Sequence, residues 1–352
     1  MMNKVKCFSG FGSVGILTTY AKALGFETVL ANELDLLRAS WLAESYKAQG
    51  LNTEVVQGDF TNPKIFNYLC NQFIKKKIEL AFFSPCCQPF CKAGGQHLNS
   101  PEAFLFLHII KFIRKTRPKW SWIENAAEFP TSVLKDDPRT IEKRIRDALE
   151  PLGYEVKVAI QDAADFGTPQ HRRRSIFLIR RKDACAWDFP KPFDTQITVR
   201  QAIENLPPLV AGHRSSIPLH FAAYLPKCQA DCFIGVKDGE TAPNPVNVDG
   251  SKPKKQKPKY AFKRIAWDKP CNTIVQKSAS ISGYQTVHPR DNRTLTIWEI
   301  ILLTGLDENW YIPAWAKAKP QLIRDVLGEA FAPKHCAEIL KMLRKSIEES
   351  EK

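Results

Sequence analysis

Apolar and polar positions alternate along the first half of the chain, so that short segments with strand character are separated by segments with helical spacing. Five apolar runs of strand length each end near glycine, acidic or small polar residues. Strands that alternate with helices predict an α/β fold, a doubly wound and mostly parallel sheet with helices on both faces. The predicted strands are residues 4–10, 26–34, 54–60, 78–85 and 119–126.

Helical spacing occurs in two of the intervening segments. Residues 14–25 end at a glycine, which is a common helix stop, and residues 101–118 have a proline near their start. Residues 154–167 and 172–181 predict two more strands. They lie close enough in sequence to form an antiparallel pair at an edge of the sheet.

The pattern changes near residue 185. Residues 188–263 are rich in Pro, Asn and Lys and have no sustained helical period, and residues 238–260 predict a flexible basic loop. Amphipathic helices are predicted again at 295–306 and 335–349. We therefore expect a first domain over 1–187, a smaller loop-rich domain over 188–263 joined to it by 264–320, and a C-terminal helix in 321–352 that packs back on the first domain.

Composition narrows the function classes. The chain has 352 residues with a formal net charge of +14, which favours a polyanionic partner such as nucleic acid. It has no run of 18 apolar residues and no signal-peptide pattern at its start. Its ten irregularly spaced cysteines suit a reducing compartment. We expect a cytoplasmic protein with no membrane contact.

Polar groups follow each of the five predicted strands, and in a parallel sheet such groups converge on one edge. A glycine-rich turn follows the first strand, and Glu33 ends the second. This layout suits an adenosine-bearing cofactor, because an acid there accepts hydrogen bonds from ribose hydroxyls. The alternatives are that the glycines only make a tight turn and that Asp59, after the third strand, only caps the next helix.

Three cysteines crowd the loop after the fourth strand, in the segment SPCCQPFCKAGG, and three explanations exist: a metal site, a redox pair or one reactive thiol. Cys86, Cys87 and Cys91 lack the paired C-x-x-C spacing of zinc ligands, and the nearby histidine is His97 alone. Adjacent cysteines have poor geometry for a disulfide. One reactive cysteine that faces Glu124 at the end of the fifth strand is therefore favoured.

Six segments, in order from Phe8 to about Lys341, resemble the motifs of the DNA (cytosine-5)-methyltransferases of bacterial restriction–modification systems. They are CFSGFGSVG, CCQPF, IENA, DFGTPQHRRRSIFLI, WDKPCNTI with HPRDNRTLTIWEIILLTGL, and VLGEAFAP. The resemblance implies the class I S-adenosylmethionine methyltransferase fold, with catalysis and cofactor binding in 1–187 and target recognition in 188–263. It also implies that Cys87 attacks carbon 6 of a flipped-out cytosine in duplex DNA, so that carbon 5 can take the methyl group.

The resemblance assigns roles to individual residues, with no metal. Catalytic roles fall to Cys87, Glu124, Arg172 and Arg174; contacts with S-adenosylmethionine to Phe8, Gly10, Phe11, Gly12, Glu33, Leu34, Asp59, Phe60, Leu105, Glu329 and Ala330; and contacts with DNA to Gln88, Gln170, Thr273 and Arg293. Because the resemblance is to restriction–modification systems, a cognate restriction endonuclease that acts on the same site is a candidate partner. We expect a monomer.

Several positions depart from the family pattern. Lys6 stands where Asp is usual, Ser13 where a glycine is usual, and Glu329 where Asn is common. Two alternative functions are an RNA cytosine-5 methyltransferase on the same fold and a DNA-binding regulator without catalysis. The long basic segment argues against the first, since reading duplex DNA in the major groove requires a sizeable module. The retained cysteine, glutamate and arginine argue against the second.

His220, Cys228 and Cys232 lie close in sequence within the recognition segment. A zinc site there needs a fourth ligand, and the sequence offers no clear one. Ordinary packing of these three side chains is favoured.

Overall fold

The computed structural model describes residues 3–91, 97–252, 261–281 and 286–351. Its strands are β1 (Val5–Gly10), β2 (Phe26–Glu33), β3 (Glu54–Gln57), β4 (Leu80–Phe83), β5 (Trp120–Ala126), β6 (Val133–Leu134), β7 (Asp137–Thr140), β8 (Tyr154–Asp162) and β9 (Arg173–Arg181). Seven of them form one sheet in the order β3-β2-β1-β4-β5-β9-β8. Strands β6 and β7 form a separate two-stranded sheet.

The sheet confirms the predicted doubly wound fold. Strands β1 to β5 pair in parallel, and β9 pairs antiparallel with both β5 and β8. The register aligns strand ends, since Gly10 lies level with Asn32 and with Phe83, and Phe83 lies level with Ile123. The segments that follow β1 to β5 therefore start from one edge, which we call the carboxyl edge.

The helices are α1 (Leu36–Ala48), α2 (Pro63–Lys75), α3 (Leu105–Thr116), α4 (Ile141–Leu149), α5 (Val199–Ile203), α6 (Lys227–Asp231), α7 (Ile297–Leu303), α8 (Ala314–Lys317), α9 (Pro320–Glu329) and α10 (Pro333–Ser350). Local chemistry fixes their starts. Asp35 caps α1 by accepting a hydrogen bond from the Arg38 backbone, and Asn62 caps α2 with a proline at the first helical position. Helices α3, α7 and α10 match the predicted segments.

The helix predicted over residues 14–25 is wrong. This segment forms successive turns and one short 3₁₀ helix, Lys22–Leu24. Gly15 has a left-handed backbone with φ of 86°. The hydroxyl of Thr19 donates to the Ile16 carbonyl at 2.8 Å, and that of Thr18 to the Gly15 carbonyl at 3.3 Å. Such side-chain bonds compete with a regular helix.

Phenylalanine rings fill the core beneath the carboxyl edge. Phe8 on β1 stacks on Phe112 of α3 with ring centroids 5.0 Å apart, and its edge contacts Phe83 at the end of β4. Phe60 approaches the same Phe112 ring at 5.7 Å. Offset and edge-to-face pairs of this kind add to the burial of apolar area. The strand ends are thus supported by a rigid aromatic layer.

The chain divides into two compact units. The first comprises residues 1–162, 173–191 and 336–352, and the second comprises 163–172 and 192–335. In the first unit, the guanidinium of Arg344 on α10 donates to the carbonyls of Asn3, Leu24 and Gly25. The predicted functional division, with its boundary at 187/188, stays a prediction. Of the basic loop predicted over 238–260, residues 253–260 lie outside the described residues.

None of the helices in the described part of the chain has the length and apolar character needed to cross a bilayer.

Candidate active site

The loop after β4 carries the predicted nucleophile. Gln88–Phe90 form a 3₁₀ turn, and the Cys87 carbonyl accepts hydrogen bonds from the backbone of Phe90 at 3.1 Å and Cys91 at 3.2 Å. Cys86 is exposed, whereas Cys87 is half-buried. Gln88, a predicted DNA contact, is exposed. The turn therefore distinguishes the two adjacent cysteines by exposure.

Three side chains meet at the end of β5. Nε of Arg174 lies 3.0 Å from Oε1 of Glu124, and the hydroxyl of Ser84 donates to Oε2 of Glu124 at 2.5 Å. Glu124 is 3% exposed and Arg174 is 9% exposed. The structure thus brings together two of the predicted catalytic residues and adds Ser84, which follows β4 directly.

The cysteine loop also affects the pKa of Arg174. Burial alone would lower this pKa, but charge interactions with Cys87, Glu124 and Cys91 outweigh burial and raise it above the ordinary arginine value. A cation held permanently charged beside a cysteine favours the thiolate form, which is the nucleophilic form.

Asn125 anchors the loop to the sheet. Its side-chain amide donates to the Pro85 carbonyl at 3.3 Å, and its Oδ1 accepts from the Ala126 backbone at 2.8 Å. Asn125 is 1% exposed. The position of the cysteine loop is therefore fixed by the neighbouring strand.

At the carboxyl edge, Glu33, a predicted cofactor contact, is joined to Ser13, which stands where the family pattern has glycine. Oε2 of Glu33 accepts from the Ser13 backbone at 2.7 Å, and Oε1 accepts from the Asp35 backbone at 3.0 Å. Burial raises the pKa of Glu33 despite these bonds. Each carboxylate oxygen can accept more than one hydrogen bond, so ribose hydroxyls can be bound in addition.

Backbone and aromatic rings complete this part of the edge. A side chain at Gly10 would lie 3.0 Å from the Phe8 and Phe83 rings, and one at Gly12 would lie 2.9 Å from Leu42. The half-buried Phe11 ring lies 4.9 Å from that of Phe60. These close contacts leave a narrow glycine loop beside an accessible ring, which fits an adenosine group.

The other predicted cofactor contacts differ in exposure. Asp59 is exposed, with Oδ1 accepting two bonds from Thr61, and Leu34 is 63% exposed. Leu105 is half-buried at the start of α3. Phe8, in contrast, has no exposed surface because neighbouring rings enclose it. In this structure Phe8 packs beneath the glycine loop, and its contact with S-adenosylmethionine stays a prediction.

Besides Arg293, five predicted residues lie in the second unit, and four of them bond other groups of that unit. Arg172 is 2% exposed and donates to the carbonyls of Ile274 at 3.3 Å and Gly328 at 2.9 Å. Gln170 accepts from the Ile274 backbone, and Thr273 donates to the His171 carbonyl. Glu329, the last residue of α9, accepts from the Gln276 side-chain amide, and Ala330 directly follows the helix. Their predicted roles toward DNA, base and cofactor stay predictions.

The prediction that Arg293 contacts DNA is corrected by the structure, because the side chain is buried away from the surface. It is 0% exposed, and its guanidinium bonds both carboxylate oxygens of Glu299 at 2.8 and 2.9 Å. It also bonds Asp291 at 2.9 Å. Arg293 is therefore a core ion-pair residue of the second unit, and a direct DNA contact is not supported.

The three candidate zinc ligands bond other groups. Nδ1 of His220 lies 2.8 Å from the Ser215 hydroxyl, and its Nε2 lies 3.4 Å from Glu299. The Cys232 thiol donates to the Cys228 carbonyl at 3.2 Å, and the Cys228 thiol donates weakly to the Asn247 and Val248 carbonyls. These contacts are those of packed side chains.

No role was assigned to Ser84 or Asn125 from the sequence. Both lie near the ends of predicted strands, at 78–85 and 119–126, and β4 and β5 are neighbours. Polar residues at the ends of adjacent parallel strands are expected to meet, so strand order would have been sufficient to find them.

Comparison with known proteins finds methyltransferases that match nearly the whole chain. A family model described as C-5 cytosine-specific DNA methylase matches residues 2–345. The chain is 30% identical to the Type II methyltransferase M1.HgaI of Avibacterium volantium, over 95% of this chain and 96% of that protein. It is 27% identical to M1.HphI of Haemophilus parahaemolyticus, over 96% and 86%. A solved E. coli prophage protein assigned as a DNA modification methyltransferase matches with TM-score 0.73 at 17% identity, covering 98% and 100% of the chains.

Proposed function

This chain belongs to the C-5 cytosine-specific DNA methylase family, and from that membership we propose that it acts through a covalent bond between Cys87 and the target base. The enzyme transfers a methyl group to carbon 5 of cytosine in DNA, and S-adenosylmethionine supplies that methyl group as an electrophile. The observation that most strongly supports this mechanism is that Cys87, Glu124 and Arg174 lie together at the carboxyl edge.

Attack by the Cys87 sulfur activates the base. Carbon 5 of an intact cytosine is a poor nucleophile, but a sulfur–carbon 6 bond breaks the ring conjugation and gives carbon 5 enamine character. Glu124 would bond the N3 and N4 edge, and Arg174 would hold the O2 side and balance charge that develops in the ring. Loss of the carbon 5 proton and release of Cys87 restore the aromatic ring.

The cofactor would be held by the glycine loop after β1. Gly10 and Gly12 allow close backbone approach, Glu33 accepts bonds from the ribose, and Asp59 accepts from the adenine amino group. Phe11, Phe60, Leu34 and Leu105 line the apolar faces; Glu329 and Ala330 complete the predicted set. The accessible Phe11 ring and the buried Glu33 carboxylate support this arrangement.

The DNA partner is proposed to be a duplex from which the target cytosine is flipped. Unstacking costs a few kcal/mol, and the net charge of +14 favours binding of the phosphate backbone. Gln88, Gln170 and Thr273 would lie near the target base, with Arg172 supporting them. We further propose a monomer in a reducing, cytoplasmic compartment, which the ten free cysteines support. The resemblance to restriction–modification enzymes leads us to propose a cognate restriction endonuclease for the same site.

The test is transfer of labelled methyl groups to mixed-sequence duplex DNA and to RNA, with Cys87→Ser beside Cys86→Ser. We expect label at carbon 5 of cytosine in DNA with wild type and Cys86→Ser, and none with Cys87→Ser. Label that persists in Cys87→Ser would exclude this nucleophile. Label in RNA but not in DNA would contradict the DNA substrate.

A further inference from the structure

The hydroxyl of Ser84 donates a hydrogen bond to the carboxylate of Glu124, and the covalent mechanism does not itself use this hydroxyl. We propose that Ser84 is a positioning residue that determines which oxygen of Glu124 gives a proton to N3 of the target cytosine. This inference rests on the covalent mechanism proposed above and deepens it. It concerns residues of the first unit alone.

The Arg174 guanidinium and the Ser84 hydroxyl approach different oxygens of the same carboxylate. Nε of Arg174 lies 3.0 Å from Oε1, and the Ser84 hydroxyl donates to Oε2 at 2.5 Å. The Glu124 side chain is 4% exposed, so water offers little competition. An ion-pair contact at Oε1 and a hydrogen bond at Oε2 orient the group, and each oxygen keeps acceptor capacity for a ligand.

The hydrogen-bonding edge of cytosine requires the two oxygens to differ. The N4 amino group is a donor and needs an acceptor oxygen, whereas N3 is an acceptor and needs a proton. Oε1 lies against a permanent cation, which disfavours a proton there. Oε2 lies against a neutral hydroxyl. The geometry therefore assigns Oε1 to the amino group and the proton to Oε2.

The proton transfer follows from this assignment. As the Cys87 sulfur bonds carbon 6, the carbon 5–carbon 6 π pair moves to form a carbon 4–carbon 5 double bond. Water supplies the proton to Oε2 as the base binds, and the carbon 4–N3 π pair takes it from Oε2 during the addition, which leaves a carboxylate on Glu124. Once carbon 5 has used the carbon 4–carbon 5 π pair to take the methyl group, the N3 pair re-forms the carbon 4–N3 π bond and N3 returns its proton to Oε2. The carbon 5 proton then passes to water, its electron pair forms the carbon 5–carbon 6 π bond, and the carbon 6–sulfur pair leaves with Cys87.

Ser84 stabilises the charge that this step creates. A hydroxyl donates more strongly to an ionised oxygen than to a protonated one, so its bond strengthens as the proton leaves Oε2. An interaction that is stronger in the transition state than in the bound ground state raises kcat rather than affinity. Removal of the hydroxyl is therefore expected to lower kcat and to leave KM nearly unchanged.

The sheet holds Ser84 in this position. It directly follows β4, where Phe83 lies level with Ile123, so Ser84 lies beside Glu124 at the ends of adjacent strands. Its backbone amide donates to the Gly10 carbonyl at 3.4 Å. A threonine at this position keeps the hydroxyl on the same backbone, and an alanine removes it with the least change in volume.

The experiment compares wild type with Ser84→Ala, Ser84→Thr and the control Ser132→Ala. Ser132 is half-buried, and its hydroxyl donates to the Glu128 carbonyl at 2.8 Å, away from the three-residue cluster. Steady-state methylation of duplex DNA gives kcat and KM. Release of tritium from carbon 5 of labelled cytosine, without methyl donor, reports addition and elimination of Cys87 in the absence of methyl transfer.

We expect Ser84→Ala to lower kcat and tritium release by about tenfold, with KM within about twofold of wild type. Ser84→Thr is expected to retain at least about half of kcat, and Ser132→Ala to match wild type. If Ser84→Ala does not fold, as judged by thermal unfolding, Ser84→Cys replaces it, since a thiol is a weak donor.

Three results separate the outcomes. A wild-type kcat in Ser84→Ala overturns the role of Ser84 and leaves the proposed function standing. Equal loss in Ser84→Ala and Ser84→Thr indicates packing and also overturns it. If the wild-type enzyme itself methylates no DNA, the proposed function fails first, and the Ser84 role falls with it.

Discussion

Arg174 and Glu124 form a diagonal pair across two antiparallel strands. Arg174 lies opposite Ala126, two residues beyond Glu124, so both side chains lie on the same face of the sheet. Their side chains are 11% and 4% exposed, and 3.0 Å separates Nε from Oε1. Since removal of one member leaves a buried charge without its partner, this pair links activity to stability.

Arg174→Lys tests the guanidinium geometry. A lysine keeps the charge but loses the fixed planar donors, so we expect kcat for DNA methylation to fall by about a hundredfold or more. The exposed neighbour provides a matched control, and Arg173→Lys should retain near-wild-type kcat. Similar kcat values for the two variants would contradict a catalytic role for Arg174.

Arg293→Lys tests the corrected assignment of a core role. Loss of the paired bonds to Glu299 should lower the free energy of unfolding by about 3–5 kcal/mol, measured by urea denaturation. At a temperature where the variant is folded, its affinity for duplex DNA should equal that of wild type. A tenfold loss of DNA affinity with unchanged stability would restore the DNA-contact hypothesis.

Ser13→Gly tests backbone strain in the glycine loop that follows β1. Ser13 has φ of 47°, a left-handed conformation that costs a non-glycine residue about 1–2 kcal/mol. We expect the glycine variant to gain about 1 kcal/mol of stability in denaturant unfolding. Gly153→Ala is the opposite control. Gly153 has φ of 82°, and an added Cβ would meet no atom within 4 Å, so only backbone strain is introduced. This variant should lose about 1 kcal/mol of stability. Destabilisation by Ser13→Gly would instead assign a role to the serine hydroxyl.

His335 predicts a pH dependence of stability. Its ring stacks on Phe166 with centroids 4.2 Å apart and on Phe331 at 5.0 Å, and burial lowers its pKa from 6.5 to about 3. Below pH 6.5 the unfolded chain binds a proton that the folded chain excludes. Stability contributed by this site is therefore complete above pH 6.5 and is lost as pH falls toward 3.

The expected slope from His335 is about 1 kcal/mol per pH unit over that window. Urea denaturation between pH 7 and pH 4 measures it. His335→Phe, which keeps an aromatic ring in the stack, should reduce the slope by about that amount. An unchanged slope in this variant would show that other groups account for the acid sensitivity.

The convergence of Glu33, Asp59 and Glu124 was predictable because the ends of parallel strands meet at one edge whatever the details of packing. The helix over residues 14–25 was mispredicted because its apolar spacing was helical, while Gly15 and the hydroxyls of Thr18 and Thr19 favoured turns. Backbone competition of this kind is not visible in a hydrophobic pattern.

Side-chain surroundings were harder to predict than strand ends. A family motif places Arg293 near other functional residues in sequence, but its burial depends on Glu299 and Asp291 folding around it. Ser84 was missed for a related reason. Its contact with Glu124 depends on β4 and β5 being neighbours, which is a property of strand order and not of either segment alone.

The backbone beside Gly328 limits how this enzyme can be re-engineered. A Cβ at Gly328 would lie 2.4 Å from the Gln276 nitrogen and 2.6 Å from the Val275 carbonyl carbon, so the two segments fit only as a matched pair. Arg172 adds hydrogen bonds to both. Chimeras that exchange recognition segments between relatives therefore need crossover points that transfer residues 274–276 and 328 from the same parent.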